Sequence, residues 1–131
     1  MTEQSYILYI EDERATIKLV CEILRPSGFH VVGAMSGEEG LNLMRDRKPD
    51  LLLLDLMMPG TSGFDIYRIM KNDRSLSDIP VIIVSAKIPA DDYTIIAGLP
   101  PVDDYITKPF DLNRLIRSIK KITTTLNNTT S

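Results

Sequence analysis

The chain has 131 residues, 44% of them hydrophobic and 25% charged, with a formal net charge of −3. That length and balance suit one ordinary globular domain with a core of its own, and the slight acidity offers no basic surface of the kind nucleic acid requires. A single cysteine, Cys21, excludes an internal disulfide and fits a reducing compartment.

Short apolar runs alternate with helical patterns five times. Residues 6–10 are continuously apolar, as expected of a strand buried on both faces. Ile17, Val20, Cys21 and Leu24 then recur at helical spacing, and Pro26 with Gly28 stops them. Residues 31–34 read as a second strand. Ser36 followed by Glu39 is a capping-box pattern opening a second helix, which carries Leu41 and Met44 and ends near Pro49. Residues 51–54, four leucines, form the most apolar run and stop abruptly at Asp55. After the turn-rich residues 59–63, Ile66, Ile69 and Met70 mark a third helix. Residues 81–84, introduced by Pro80, are a fourth strand.

A weaker helical stretch over 91–97 ends in Gly98, Pro100 and Pro101, which leaves a short fourth helix of about two turns, dependent on packing. Tyr105 and Ile106 suggest a short last strand. Asp111 can cap a final helix whose buried face is Leu112, Leu115, Ile116 and Ile119. Residues 1–122 therefore read as one domain, and the Thr- and Asn-rich residues 123–131 as a polar tail or the start of a linker. The first residues lack the basic start and apolar stretch of a secretory signal. No apolar run nears the roughly 20 residues that span a bilayer. A cytoplasmic location without membrane attachment is expected, and no direct nucleic-acid binding by this domain.

Parallel strands need long crossovers, so strands alternating with helices imply an α/β fold: a parallel sheet with helices on both faces. Ligands of such sheets bind outside the carboxyl ends of the strands. The first strand delivers Glu11 and Asp12 to that rim, the third Asp55, the fourth Ser85, and the fifth leads to Lys108. Three acids held together repel one another, and a hard divalent cation relieves the repulsion; Mg2+ takes oxygen ligands and keeps several waters. Such an ion would also offset charge that builds in phosphoryl transfer. Asp55 is then the natural nucleophile, forming an acyl phosphate. Lys108 can grip one phosphoryl oxygen as a point charge, and Ser85 can hydrogen-bond another beside the small Ala86. Cys21 reads as a core residue, and His30, without a metal-spaced partner, has no expected catalytic role.

The segments Tyr-Ile-Glu-Asp-Glu (9–13), Leu-Leu-Leu-Leu-Asp-Leu-Met-Met-Pro-Gly (51–60), Val-Ser-Ala (84–86) and Asp-Asp-Tyr-Ile-Thr-Lys-Pro-Phe (103–110) together resemble the receiver domains of two-component response regulators, over nearly the whole chain and in the right order. The resemblance implies a flavodoxin-like, doubly wound five-stranded parallel sheet of order 2-1-3-4-5 with five helices. It implies Asp55 as phosphoacceptor, Asp12 as the main metal carboxylate, Glu11 acting mostly through water, and the Met57 backbone carbonyl as a further Mg2+ ligand. Ser85 and Tyr105 would be the paired switch residues, Lys108 the phosphate-sensing lysine, and the Lys108–Pro109 peptide cis. The implied partners are a sensor histidine kinase or phosphotransfer protein, a downstream protein or output domain that the sequence does not name, and a second copy of the chain in a homodimer. The only catalysis implied is of its own phosphorylation and dephosphorylation.

Two other functions compete. A receiver-like interaction module that takes no phosphate would not need the complete set Glu11, Asp12, Asp55, Ser85 and Lys108. A phosphohydrolase of the haloacid dehalogenase type would carry a second Asp two residues after the nucleophile, where this chain has Met57. One segment departs from the receiver pattern: Gly98-Leu99-Pro100-Pro101-Val102 replaces the usual Gly-Ala before the Asp-Asp-Tyr run, and Ser85 and Lys108 stand about one residue further apart than is typical. Both changes fall on a face through which receivers commonly signal.

Overall fold

A computed structural model describes residues 5–60, 62–86 and 101–129, with side chains to 124. Its elements are β1 (Ser5–Ile10), α1 (Arg14–Leu24), a short 3-10 turn (Arg25–Ser27), β2 (Phe29–Ala34), α2 (Gly37–Asp46), β3 (Leu51–Leu54), α3 (Gly63–Lys71), β4 (Val81–Ser85), β5 (Asp104–Thr107) and a C-terminal helix (Leu112–Thr129). All strand pairs are parallel, in the order β2-β1-β3-β4-β5. Four α-helices lie among the described residues. The helix expected over 91–97, with the Gly98 and Pro100 expected to end it, lies outside them.

The unbroken apolar runs follow from burial on both faces, because successive side chains alternate between two cores. Leu8, Ile10, Leu52, Leu54, Val81 and Ile83 pack under Leu41 and Met44 of α2 and Ile66, Tyr67 and Met70 of α3. Ile7, Tyr9, Leu51, Leu53, Ile82, Val84 and Ile106 pack under Val20 and Leu24 of α1 and Leu115 and Ile119 of the C-terminal helix.

Local signals set the helix ends. Ser36 Oγ accepts from the Glu39 amide at 3.1 Å, while the Glu39 carboxylate accepts from the Met35 amide at 3.2 Å, so the expected capping box forms. Asp111 Oδ1 accepts from the Asn113 amide at 2.9 Å. Two boundaries differ from the sequence expectation. β2 begins at Phe29, since His30 pairs with Tyr6 despite its exposure. The C-terminal helix runs through the polar stretch from residue 123 to Thr129. Thr123 is buried there because its hydroxyl donates to the Ile119 carbonyl at 2.8 Å, which removes the cost of placing a hydroxyl against the core.

Candidate functional site

Strand register brings the rim residues together. Ile10 pairs with Leu54, so the next residues, Glu11 and Asp55, stand side by side, and the Asp55 amide donates to the Ile10 carbonyl at 3.1 Å. Ser85 ends β4 opposite Thr107, and the Lys108 amide donates to the Ser85 carbonyl at 2.8 Å. The backbone ladder thus delivers Lys108 to the same edge, where its peptide bond to Pro109 is cis.

Carboxylate oxygens of Glu11, Asp12 and Asp55 all lie within 4.8 Å of one another. Glu11 and Asp55 are buried and Asp12 is exposed, so the cluster opens to solvent on the Asp12 side. Asp55 Oδ1 accepts from the Met57 amide at 2.9 Å, and Oδ2 from Lys108 Nζ at 3.2 Å. Glu11 is held at both oxygens: Oε1 accepts from the Tyr9 hydroxyl at 3.2 Å and from Lys108 Nζ, and Oε2 from the Glu13 amide at 3.2 Å. Lys108 therefore bridges two buried acids as their internal counter-ion.

Burial, with the neighbouring charge of Asp55 and a hydrogen bond with Asp12, raises the Glu11 carboxyl above its ordinary range, although Lys108 pulls the other way. Burial would lower the Lys108 ammonium, but its contacts with Glu11 and Asp55 outweigh that and raise it. Among the described residues, the site is one positive charge, Lys108, against three acids. A second cation is what such a set lacks, and the all-oxygen donors are those of a hard ion.

Ser85 is fully buried, and among the described residues its Oγ has no hydrogen-bond partner. An orphaned hydroxyl costs free energy in a resting protein, so it marks a position at which an incoming oxygen would be welcome. Met57 turns its side chain outward, 58% exposed, while its amide fixes Asp55. Tyr105 is half-buried against the α2–α3 core, near Tyr67, whose phenol is pushed up to about 12 by burial and then by Asp103 and Tyr105. Cys21 donates to the Val31 carbonyl at 3.4 Å, away from the rim, and His30 lies beside Tyr6 at the far end of β1 and β2.

Four residues, two beside the site and two holding the first residue of β5, were not singled out by sequence reasoning. Tyr9 sat inside an apolar run, yet period-two alternation puts it on the same face as Glu11. Gly63 starts α3 so close to β3 that a Cβ would stand 2.5 Å from the Asp55 carbonyl oxygen. Arg114 and Ser118 converge on Asp104: Arg114 Nη1 and Nη2 donate to its two oxygens at 2.8 and 3.1 Å, and the Ser118 hydroxyl donates to Oδ2. The spacing of four along one helix (114, 118) was the available signal.

The sequence model of the response regulator receiver domain family matches residues 7–120. The phosphate regulon transcriptional regulatory protein PhoB of Escherichia coli is 38% identical over 117 residues, 88% of this chain and 50% of the relative. The DNA-binding response regulator MtrA of Mycobacterium tuberculosis is 33% identical over 120 residues, 91% of this chain and 50% of the relative. The chain thus spans about half the length of the curated relatives it matches. Among solved structures, the receiver domain of the Francisella response regulator 1452 aligns with a TM-score of 0.82 at 25% identity, covering 94% of this chain and 99% of that one. The signal receiver domain of a signal transduction histidine kinase from Syntrophus aciditrophicus aligns with a TM-score of 0.81 at 27% identity, covering 92% and 90%.

Proposed function

The chain belongs to the response regulator receiver domain family, phosphoacceptors of two-component signalling, and we propose that its phosphoacceptor is Asp55, activated by Mg2+ among Glu11, Asp12 and Asp55. The observation that carries this reading is the convergence of three carboxylates, Lys108 and an unpartnered buried Ser85 hydroxyl on one end of the sheet.

Asp12, exposed and within reach of Asp55, suits the metal's direct carboxylate, with Glu11 acting through water and the Met57 carbonyl completing the protein donors. The ion, when bound, supplies charge compensation for the phosphoryl oxygens. An Asp55 carboxylate oxygen attacks the phosphorus of a phosphohistidine, so that an O–P bond forms as the N–P bond breaks and the imidazole keeps the electron pair. Lys108 then exchanges carboxylate contacts for a phosphoryl oxygen, and Ser85 donates its hydroxyl to another. Those two contacts, with Tyr105 following Ser85, convert phosphorylation into a conformational change read by a downstream protein or output domain. The phosphoryl donor is a sensor histidine kinase or phosphotransfer protein, the setting is the cytoplasm, and the only catalysis is of the domain's own phosphorylation and dephosphorylation. A module that takes no phosphate is not favoured, because it would have no use for a buried, unpartnered hydroxyl beside an intact acid cluster.

Acetyl phosphate labelling followed by intact mass tests the assignment. The wild-type chain gains one phosphoryl group only with magnesium present, and Asp55→Asn gains none. Equal labelling of both proteins would remove Asp55 from the role.

A further inference from the structure

Tyr9 is the fully buried aromatic at the penultimate position of β1, and its ring packs between the sheet and the α1 and C-terminal helix face. Tyrosine in such a core brings a hydroxyl that must find a partner. The partner here is not backbone but the Oε1 of Glu11, at 3.2 Å, the oxygen that Lys108 also contacts. One residue, Ile10 at the end of β1, separates them, so the ring and the Glu11 side chain rise from the same face and the hydroxyl meets the carboxylate from beneath.

Glutamate is one methylene longer than aspartate and has one more rotatable bond, which makes it a poorly fixed charge unless something holds it. Three donors hold this one: the Glu13 amide on Oε2, and Tyr9 and Lys108 on Oε1. Two of them persist whatever binds. Lys108 does not, since phosphoryl uptake at Asp55 would draw its ammonium away. With Lys108 gone, Tyr9 is the remaining side-chain donor on Oε1 among the described residues.

We infer that Tyr9 is a positioning residue for the metal site: its buried hydroxyl fixes the Glu11 carboxylate at the height where it meets the ion's water shell, and it is matched to a glutamate rather than an aspartate at position 11. The inference rests on the magnesium-dependent phosphoacceptor reading above. Donors behind a carboxylate of this kind tune metal affinity without touching the metal.

The test is a double-mutant cycle on the whole chain, read by amide shifts of Asp12 and Asp55 during titration with magnesium alone, and by thermal melting without metal. Tyr9→Phe keeps the ring and its packing, so the metal-free melting curve stays near that of the wild type, while magnesium affinity falls about tenfold. Glu11→Asp draws the carboxylate back by about 1.5 Å, one carbon–carbon bond, beyond the reach of the Tyr9 hydroxyl. In the Glu11→Asp background, Tyr9→Phe therefore changes affinity by less than about twofold, a non-additivity that packing alone would not produce. At saturating magnesium, labelling of Tyr9→Phe by acetyl phosphate recovers most of the wild-type rate, which separates metal binding from the transfer step. Equal losses in both backgrounds would show that Tyr9 acts through packing and overturn the inference, as would unchanged affinity in Tyr9→Phe. A wild-type chain whose Asp12 and Asp55 amides ignore magnesium would instead overturn the underlying reading, and the inference with it.

Discussion

Gly63 opens α3 directly against the chain that carries the proposed phosphoacceptor: a Cβ there would stand 2.5 Å from the Asp55 carbonyl oxygen and 2.6 Å from the Leu56 Cα. Both are backbone atoms with little room to give, so Gly63→Ala is expected to destabilise the domain by about 2 kcal/mol in urea melts and to shift the Asp55 amide resonance. A silent substitution would mean that the strand and helix can part without cost. Lys108 is the other single residue on which the resting site depends, because among the described residues it is the one cation that pairs both Glu11 and Asp55. Lys108→Met leaves two buried carboxylates facing each other and should cost about 2 kcal/mol at neutral pH. The pH dependence has a definite sign. Glu11 already titrates above its unfolded value, so above that value the folded state binds more protons than the unfolded state, and stability falls as pH rises. Losing Lys108 widens that window. The deficit of Lys108→Met relative to wild type should therefore shrink in urea melts as pH falls from neutral toward about 4.3, the ordinary glutamate value. The charged members of the site were legible in the sequence because each follows an apolar strand at one end of the sheet. Tyr9 and Gly63 were not: one is disguised by its apolar neighbours, and the other matters through a close approach that only the fold creates.

Helices and strands were readable where burial repeats regularly, and less so where polar side chains satisfy themselves. The C-terminal helix continues past its expected end because Ile119, Ile122 and Thr123 keep the buried face going, with Thr123 bonded back to Ile119. β2 begins early because strand pairing to β1 tolerates an exposed His30 at the sheet edge. The join between β5 and the C-terminal helix is a polar clamp. Burial alone would raise the Asp104 carboxyl, but hydrogen bonds from Arg114, Ser118 and the Tyr105 amide hold it down at about 2. Arg114 also donates to the Tyr105 carbonyl at 3.3 Å, so the clamp fastens the strand that carries the proposed switch tyrosine. A carboxyl whose folded pKa is depressed stabilises above its unfolded value and loses that stability as pH falls through its folded one. Asp104 therefore supports the fold fully above about pH 4 and progressively less down to about 2. Allowing for solvent screening of a part-exposed pair, its contribution at neutral pH is about 1 kcal/mol. Asp104→Asn should melt earlier than wild type at pH 7 and converge with it near pH 2; a gap that persists in acid would point to the amide's geometry instead of the charge.

At the scale of the whole molecule, a parallel sheet covered by helices followed from alternation of strand and helix, while the order β2-β1-β3-β4-β5 was implied by the family resemblance; that topology is what brings four separated sequence segments to one rim. What alternation could not convey is the balance of charge in that cluster, since the Lys108 bridge depends on side-chain reach across the rim. The balance makes a prediction about global stability. Any ligand that binds the native state alone raises its stability by an amount set by concentration over dissociation constant. Magnesium at about ten times its dissociation constant adds roughly 1.4 kcal/mol, and for a chain of this size that is a rise of about 3–5 °C in melting temperature. The rise should require Asp12, the exposed member of the cluster, and Asp12→Ala should melt at the same temperature with and without magnesium. Without metal the same substitution should be neutral or slightly stabilising, because it removes one acid from a set in which three acids face Lys108 among the described residues. Asp12 is a sharper probe than Asp55 or Glu11 here: both of those are buried and bonded to Lys108, so changing them alters the resting fold along with the proposed metal site. Calorimetry of the two proteins with magnesium and with chelator decides the matter. A magnesium-dependent rise that survives in Asp12→Ala would place the stabilising ion elsewhere on the molecule, and a chain that melts identically with metal and chelator would mean that Lys108 already suffices as the counter-ion of the cluster.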